Sequence, residues 1–172
     1  MSEVLPSQIS GAAGPAPDRP DVMIFPPVIP LATLAIAFAL QWLAPLGLIA
    51  AINQGWRFGL GAAIVIVGLL TTSAGRRALQ RHGTNVNPSQ PTTALVTDGV
   101  FQQTRNPLYV GVLAALCGIA LIFALDWLLV LIVPSWVFLH FAVVRPEERY
   151  LERKFGEAYR RYKAGVPRYL PR

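Results

Sequence analysis

The chain reads as an all-α integral membrane protein: a helical bundle of about four transmembrane helices followed by a C-terminal amphipathic helix. Three observations predict this. Hydrophobic residues make up 53% of the 172 positions and charged residues only 14%, against about 25% charged in ordinary soluble domains. The apolar residues gather into charge-free runs of the length a bilayer requires. Charge is also segregated: the first 21 residues carry Glu3, Asp18, Arg19 and Asp21, a net of −2, whereas the stretch from Arg145 onward holds nine basic and four acidic residues, a net of +5. The length allows one domain.

Residues 1–21 are rich in Pro, Ala, Gly and Ser and contain no basic stretch before an apolar core, so they read as a flexible N-terminal tail. The membrane domain takes residues 22–172. No charge occurs from Pro26 to Ile52, which predicts a first span over about 27–50, with Pro45 bending or ending it. Asn53 to Arg57 form a polar connection with Trp56 at the interface. The second span covers about 58–75; its Gly59, Gly61 and Gly68 permit close helix approach, and Arg76, Arg77 and Arg81 stop it. Residues 76–106 form a loop, of which 82–106 carry the turn formers Asn87-Pro88 and Asp98-Gly99. Loops this long are commonly functional.

The third span runs over 107–125 and the fourth over 127–144. Asp126 alone separates them, which predicts a tight helical hairpin with Asp126 solvated at the far face. From Pro146, Leu151, Phe155, Ala158, Tyr159 and Tyr162 recur at helical intervals among basic residues. This is the pattern of an amphipathic surface helix, ended by Gly165 and Pro167. Four spans put both termini on one side, with the arginine-rich loop and the basic tail 145–172. The positive-inside rule makes that side cytoplasmic, Arg57 being the strong exception.

The same features exclude several function classes. The basic residues flank spans and form no separate domain, which argues against nucleic acid as a partner. Cys117 is the sole cysteine and lies in an apolar run, so no disulfide framework arises within the chain. His82 and His140 lack a metal-ligand spacing and no metal is expected; one reads as a loop histidine, the other as a satisfied intramembrane histidine. The oligomeric state is not encoded in these patterns.

Polar chemistry concentrates at the two cytoplasmic ends of the last hairpin. At one end Pro107 suits a helix start, Asn106 an N-cap, and Arg105 a position reaching toward headgroups. At the other, Glu147 and Glu148 follow Pro146 in a first helical turn, where they meet the helix dipole. These local roles explain the residues structurally. The functional reading is that the carboxylates bind an ammonium group or ribose hydroxyls, that Arg105 or Arg145 meets a carboxylate or phosphate, and that Tyr109 stacks on a base or approaches a cation.

The stretch LVTDGVFQQTRNPLYVG, residues 95–111, resembles the first motif of the isoprenylcysteine carboxyl methyltransferase and phospholipid N-methyltransferase superfamily: a Gly-x-Tyr or Gly-x-Phe turn, Arg-His-Pro or Arg-Asn-Pro, then x-Tyr-x-Gly. The tail RPEERYLERKFGEAYRRYKAGVPRYLP resembles its second: paired glutamates, Phe-Gly-x-x-Tyr, x-x-Tyr and a closing Val-Pro-x-x-x-Pro. The two cover residues 92–171. The resemblance implies S-adenosylmethionine in a cytoplasm-facing pocket, with Arg105, Asn106, Pro107, Tyr109 and Gly111 as one wall and Glu147 and Glu148 as the other. Arg145 and Glu148 are the catalytic candidates. Asn106 stands where many members have histidine.

Methyl transfer from a sulfonium is an in-line displacement, so the protein's work is positioning and water exclusion. The implied acceptor is a lipid or lipophilic small molecule, either a carboxylate oriented by Arg145 or an amine. Phe155, Gly156, Tyr159 and Tyr162 read as packing that closes the pocket, and Gly99 and Phe101 as shaping the loop turn. The short chain looks like a prokaryotic member, which implies a bacterial inner membrane. Two other readings stand beside this one: an NADPH-dependent membrane reductase of related architecture, for which paired glutamates are poor partners of the extra phosphate, and a non-enzymatic membrane accessory protein.

Overall fold

The computed structural model describes residues 18–169, and these are all-helical apart from turns and loops. Five helices follow one another: α1 (Val28–Leu43), α2 (Gln54–Arg81), α3 (Pro107–Phe123), α4 (Asp126–Leu139) and α5 (Arg145–Gly165). Short 3-10 turns lie at Ile49–Ala51 and Gly99–Gln102, and a π-helical turn at His140–Val144 joins α4 to α5. The central element is α3, which packs along α2, against α4 and lightly against α1; α1 in turn lies on α4. Most of the expected N-terminal tail lies outside the described residues.

Small residues set the α2–α3 packing. A Cβ on Gly61 would stand 2.8 Å from the Gly118 carbonyl oxygen, and one on Gly68 would stand 2.5 Å from that of Gly111. Gly75 faces Pro107 and Leu108 in the same seam. Backbones this close gain dispersion contacts that lipid tails cannot match. By contrast, nothing approaches Gly59 within 4 Å; it contributes nothing to the seam.

Two helices are long and apolar enough to cross a membrane: α2, and the continuous helical stretch Asp126–Gly165. Their apolar windows are only 17% and 28% buried, whereas the core helix of a soluble protein would be mostly enclosed. Leu31, Phe38 and Trp42 on α1, Phe58 and Leu70 on α2, and Val133 and Phe138 on α4 are all exposed. An apolar exterior of this extent needs an apolar solvent, and the protein is membrane-associated.

The structure departs from the sequence reading at several element ends. α2 begins at Gln54, where the Asn53 side chain accepts hydrogen bonds from the Gly55 and Trp56 amides at 3.0 and 3.4 Å. It also continues through Arg76, Arg77 and Arg81. Charge marks the edge of an apolar window, but arginine, alanine and leucine are good helix formers, so the helix runs on. Pro45 lies just beyond the end of α1 at Leu43.

Asp126 is corrected from solvated to buried, with 3% exposure. Its carboxylate accepts from the Gly47 amide at 2.9 Å, the Ile49 amide at 2.8 Å and Gln41 Nε2 at 3.4 Å. Burial is tolerable because backbone donors replace water. Trp127 adds a bond from its indole nitrogen to the Ala44 carbonyl at 2.7 Å. These contacts tie the α1–α2 connection to the tip of the α3–α4 hairpin.

The last helical stretch has two local departures. Pro146 has no N–H to give the carbonyl four residues back, and its ring crowds that carbonyl. The π-turn absorbs the crowding, and the Ala142 carbonyl instead accepts the Met23 amide at 3.1 Å. Further on, Gly156 adopts φ +54° and ψ −124°, a conformation costly for any residue with a Cβ, and bends α5. The bend brings Lys163 within 3.0 Å of Glu152, eleven residues that a straight helix would spread over about 16 Å.

Candidate functional site

The bend at Gly156 turns the second half of α5 back over the loop after α2. Tyr162 donates its hydroxyl to the Phe101 carbonyl at 2.7 Å, and Phe101 is buried with Val96 and Ala78. Gly99, at φ +57°, opens the 3-10 turn that presents Phe101. The loop is knit by Thr84, whose buried hydroxyl accepts the Thr93 amide at 2.9 Å, and by Asn85, which donates to the Pro91 carbonyl at 2.8 Å. The Thr92 amide donates to the Tyr150 hydroxyl on α5 at 3.1 Å.

Between loop, α3 and α5 lies a cleft that is open at its mouth. Polar lining residues are Arg105, Asn106, Tyr109, Glu147 and Glu148, with Tyr159 and Tyr162 closing it. The structure therefore brings together Arg105, Asn106, Pro107, Tyr109, Glu147 and Glu148 from two segments about forty residues apart. It does not bring Gly111 or Arg145 to the cleft. Gly111 is a packing residue against Gly68 and Thr72 in the glycine seam. Arg145 is exposed, with its guanidinium 5.4 Å from the centre of the Phe141 ring.

The two glutamates differ sharply. Glu148 is buried and held by two arginines: Arg105 Nη2 lies 3.3 Å away, and Arg168 makes three contacts of 2.7 to 3.1 Å to both oxygens. Such a carboxylate anchors both arginines. Glu147 meets no cation among the described residues. Its Oε2 accepts the Tyr109 hydroxyl at 3.0 Å. Burial pushes its carboxyl up to about 7; the Tyr109 hydrogen bond opposes this and the charge of Glu148 adds to it. Burial also raises the Tyr159 and Tyr162 phenols above their ordinary range, so both remain protonated donors.

Arg105 does not reach out to headgroups. Its side chain is 7% exposed, and its Nε and Nη1 have no hydrogen-bond partner among the described residues. A buried guanidinium with two unmet donors is costly unless something else meets them. Only one other such nitrogen, Arg57 Nε, occurs among the described residues. Asn106 stands at the N-cap position before Pro107, but its side chain does not cap; it donates to the Arg168 carbonyl at 3.0 Å.

Sequence reasoning included the C-terminal strap Val166–Tyr169 in its second motif but gave none of its residues a place in the site. The Arg105 amide donates to the Pro167 carbonyl at 3.0 Å, and the Thr104 hydroxyl to the Arg168 carbonyl at 3.0 Å. Tyr169 and His140 Nδ1 share a hydrogen bond of 2.7 Å, so that histidine is satisfied. The available signal was Arg168 directly after the helix-ending Pro167. The N-terminal segment also joins the site's outer edge, for Asp18 accepts from Tyr150 at 2.9 Å and from Lys154 at 2.6 Å.

A helical protein with a lipid-suited exterior and a polar cleft near the basic end of its apolar hairpin is a membrane-associated protein. The family of phospholipid methyltransferases matches residues 56–158, more than half of the chain, and the chain belongs to that family. Membership accords with the resemblance of its two motifs and implies methyltransferase activity at a membrane. No curated protein and no solved structure matches the chain.

Proposed function

We propose that the protein is an integral membrane S-adenosylmethionine-dependent methyltransferase acting on a lipid or lipophilic acceptor, its cleft facing the cytoplasm. In this reading α1 to α4 all cross the bilayer. At 1.5 Å per residue, α1 and α3 span about 24 to 26 Å. Flanking apolar residues such as Pro26, Phe25, Ala124 and Leu125 extend both toward the roughly 30 Å core. Arg76, Arg77, Arg81 and the basic α5 favour the cytoplasmic side for that end.

One observation carries the proposal: a buried arginine with two unmet donors lines the same cleft as a carboxylate with no cation. That pair is complementary to the carboxylate and ammonium of an amino-acid moiety, the part of S-adenosylmethionine that is zwitterionic. Arg105 would take the carboxylate and Glu147 the ammonium, with Tyr109 holding Glu147 in place. Bound there, S-adenosylmethionine supplies an electrophilic methyl group on a sulfonium.

The chain's own residues position the donor and keep water out. Leu151, Tyr159 and Tyr162 line the cleft, and the Tyr162–Phe101 bond fastens α5 over the loop. Glu148 anchors the arginines. Arg145, exposed beside Phe141, is available to the anionic part of an acceptor headgroup at the membrane surface. The family's name supports a phospholipid acceptor.

Mass spectrometry of lipid extracts from expressing cells tests this directly. A lipid heavier by one methyl group should appear with the native protein and fall sharply with Glu147→Gln. Binding of labelled NADPH without binding of S-adenosylmethionine would replace the proposal with the reductase reading.

A further inference from the structure

The family match ends at residue 158, before the strap that covers the site. That strap carries Arg168, which the sequence motifs left without a role. Glu148 faces two guanidinium groups, and Arg168 makes the closer and more numerous contacts. Arg105 touches Glu148 through Nη2 alone, at 3.3 Å, leaving Nε and Nη1 unmet. Without Arg168, Glu148 would be left to Arg105 alone, and such a pair favours two parallel bonds, which would draw Nε or Nη1 onto Glu148.

We propose that Arg168 is a positioning residue for the cofactor's carboxylate: by occupying Glu148 it leaves Nε and Nη1 of Arg105 unspent for that group. The proposal rests on the cofactor reading above. Arg168 itself touches no ligand in this account. The strap's backbone fixes its place, since the Pro167 and Arg168 carbonyls are bonded to the Arg105 amide, the Thr104 hydroxyl and the Asn106 side chain. The residue that frees Arg105 is therefore tied to Arg105's own segment.

The test compares S-adenosylmethionine with decarboxylated S-adenosylmethionine by equilibrium binding to purified full-length protein in detergent. The ratio of the two affinities does not depend on the fraction of protein that is folded. Arg168→Gln should weaken S-adenosylmethionine at least tenfold and the decarboxylated ligand less than twofold. Adding Glu148→Gln to that variant removes the carboxylate competing for Arg105 and should restore most of the lost affinity; Arg168→Lys should retain part of it. Equal weakening of both ligands, or no recovery in the double variant, would reduce Arg168 to a structural tie and overturn the proposal. Unchanged S-adenosylmethionine affinity in Arg168→Gln would overturn it too. If the native protein binds neither ligand, the cofactor reading itself fails, a separate result.

Discussion

The two ends of the α3–α4 hairpin both bury charge, and they do so in opposite ways. At the far end Asp126 is enclosed and its oxygens are met by two backbone amides and a glutamine side chain. At the near end Arg105 is enclosed with two donors unmet, and Glu147 is held near neutrality instead of being paired with a cation. The first cluster is complete and can only hold the chain together. The second is incomplete in a way that one zwitterionic ligand would complete. Unsatisfied buried polarity has a free-energy cost, and here that cost falls on a residue lining the cleft.

The largest effect should come from breaking the complete end. Asp126→Ala strands the Gly47 and Ile49 amides and should cost about 3 kcal/mol of stability, measured by unfolding in mixed detergent. Cofactor affinity per folded molecule should not change. The reverse pattern is expected at the near end. Glu147→Gln should weaken S-adenosylmethionine by about ten- to thirtyfold, the usual worth of a charge-assisted contact, and leave stability equal or slightly higher.

That contrast also has a pH signature. The folded, ligand-free protein holds Glu147 at about 7 against 4.5 for an ordinary glutamate. Its protonated form is thus favoured by folding. The stability contributed by this group is fully present below about 4.5 and is lost as pH rises through about 7. The difference in stability between native protein and Glu147→Gln should follow that course. A cationic ligand group prefers the ionised carboxylate, so S-adenosylmethionine should bind about tenfold more tightly at pH 8 than at pH 6, with no such slope in Glu147→Gln.

A smaller effect belongs to Gly156, whose positive φ forms the bend. Gly156→Ala should cost about 1 kcal/mol in backbone strain. It should also loosen the Tyr162–Phe101 closure, seen as faster hydrogen exchange in the 99–105 loop.

The sequence announced the near end more clearly than the far one. Arg105, Tyr109 and the paired glutamates sit at fixed places in two motifs that flank one apolar hairpin, so their meeting follows from connectivity. The division of labour between Glu147 and Glu148 was not legible, because it depends on Arg168, some twenty residues beyond them. Asp126 misled because a lone acid at a hairpin tip looks solvated; the amides of Gly47 and Ile49 come from a connection nearly eighty residues earlier. The arginines after the apolar part of α2 marked a change of solvent, and the helix runs on to the last of them, Arg81. Pro146 signalled the helix start at α5, yet the π-turn before it arises from the whole helix running through.

Equilibrium binding of S-adenosylmethionine to native protein, Arg105→Gln and Asp126→Asn, in one detergent, tests the central claim most directly. Native protein and Asp126→Asn should bind alike, while Arg105→Gln should lose tenfold or more. Absence of binding to the native protein, or an Arg105→Gln variant that binds as well as native, would contradict it.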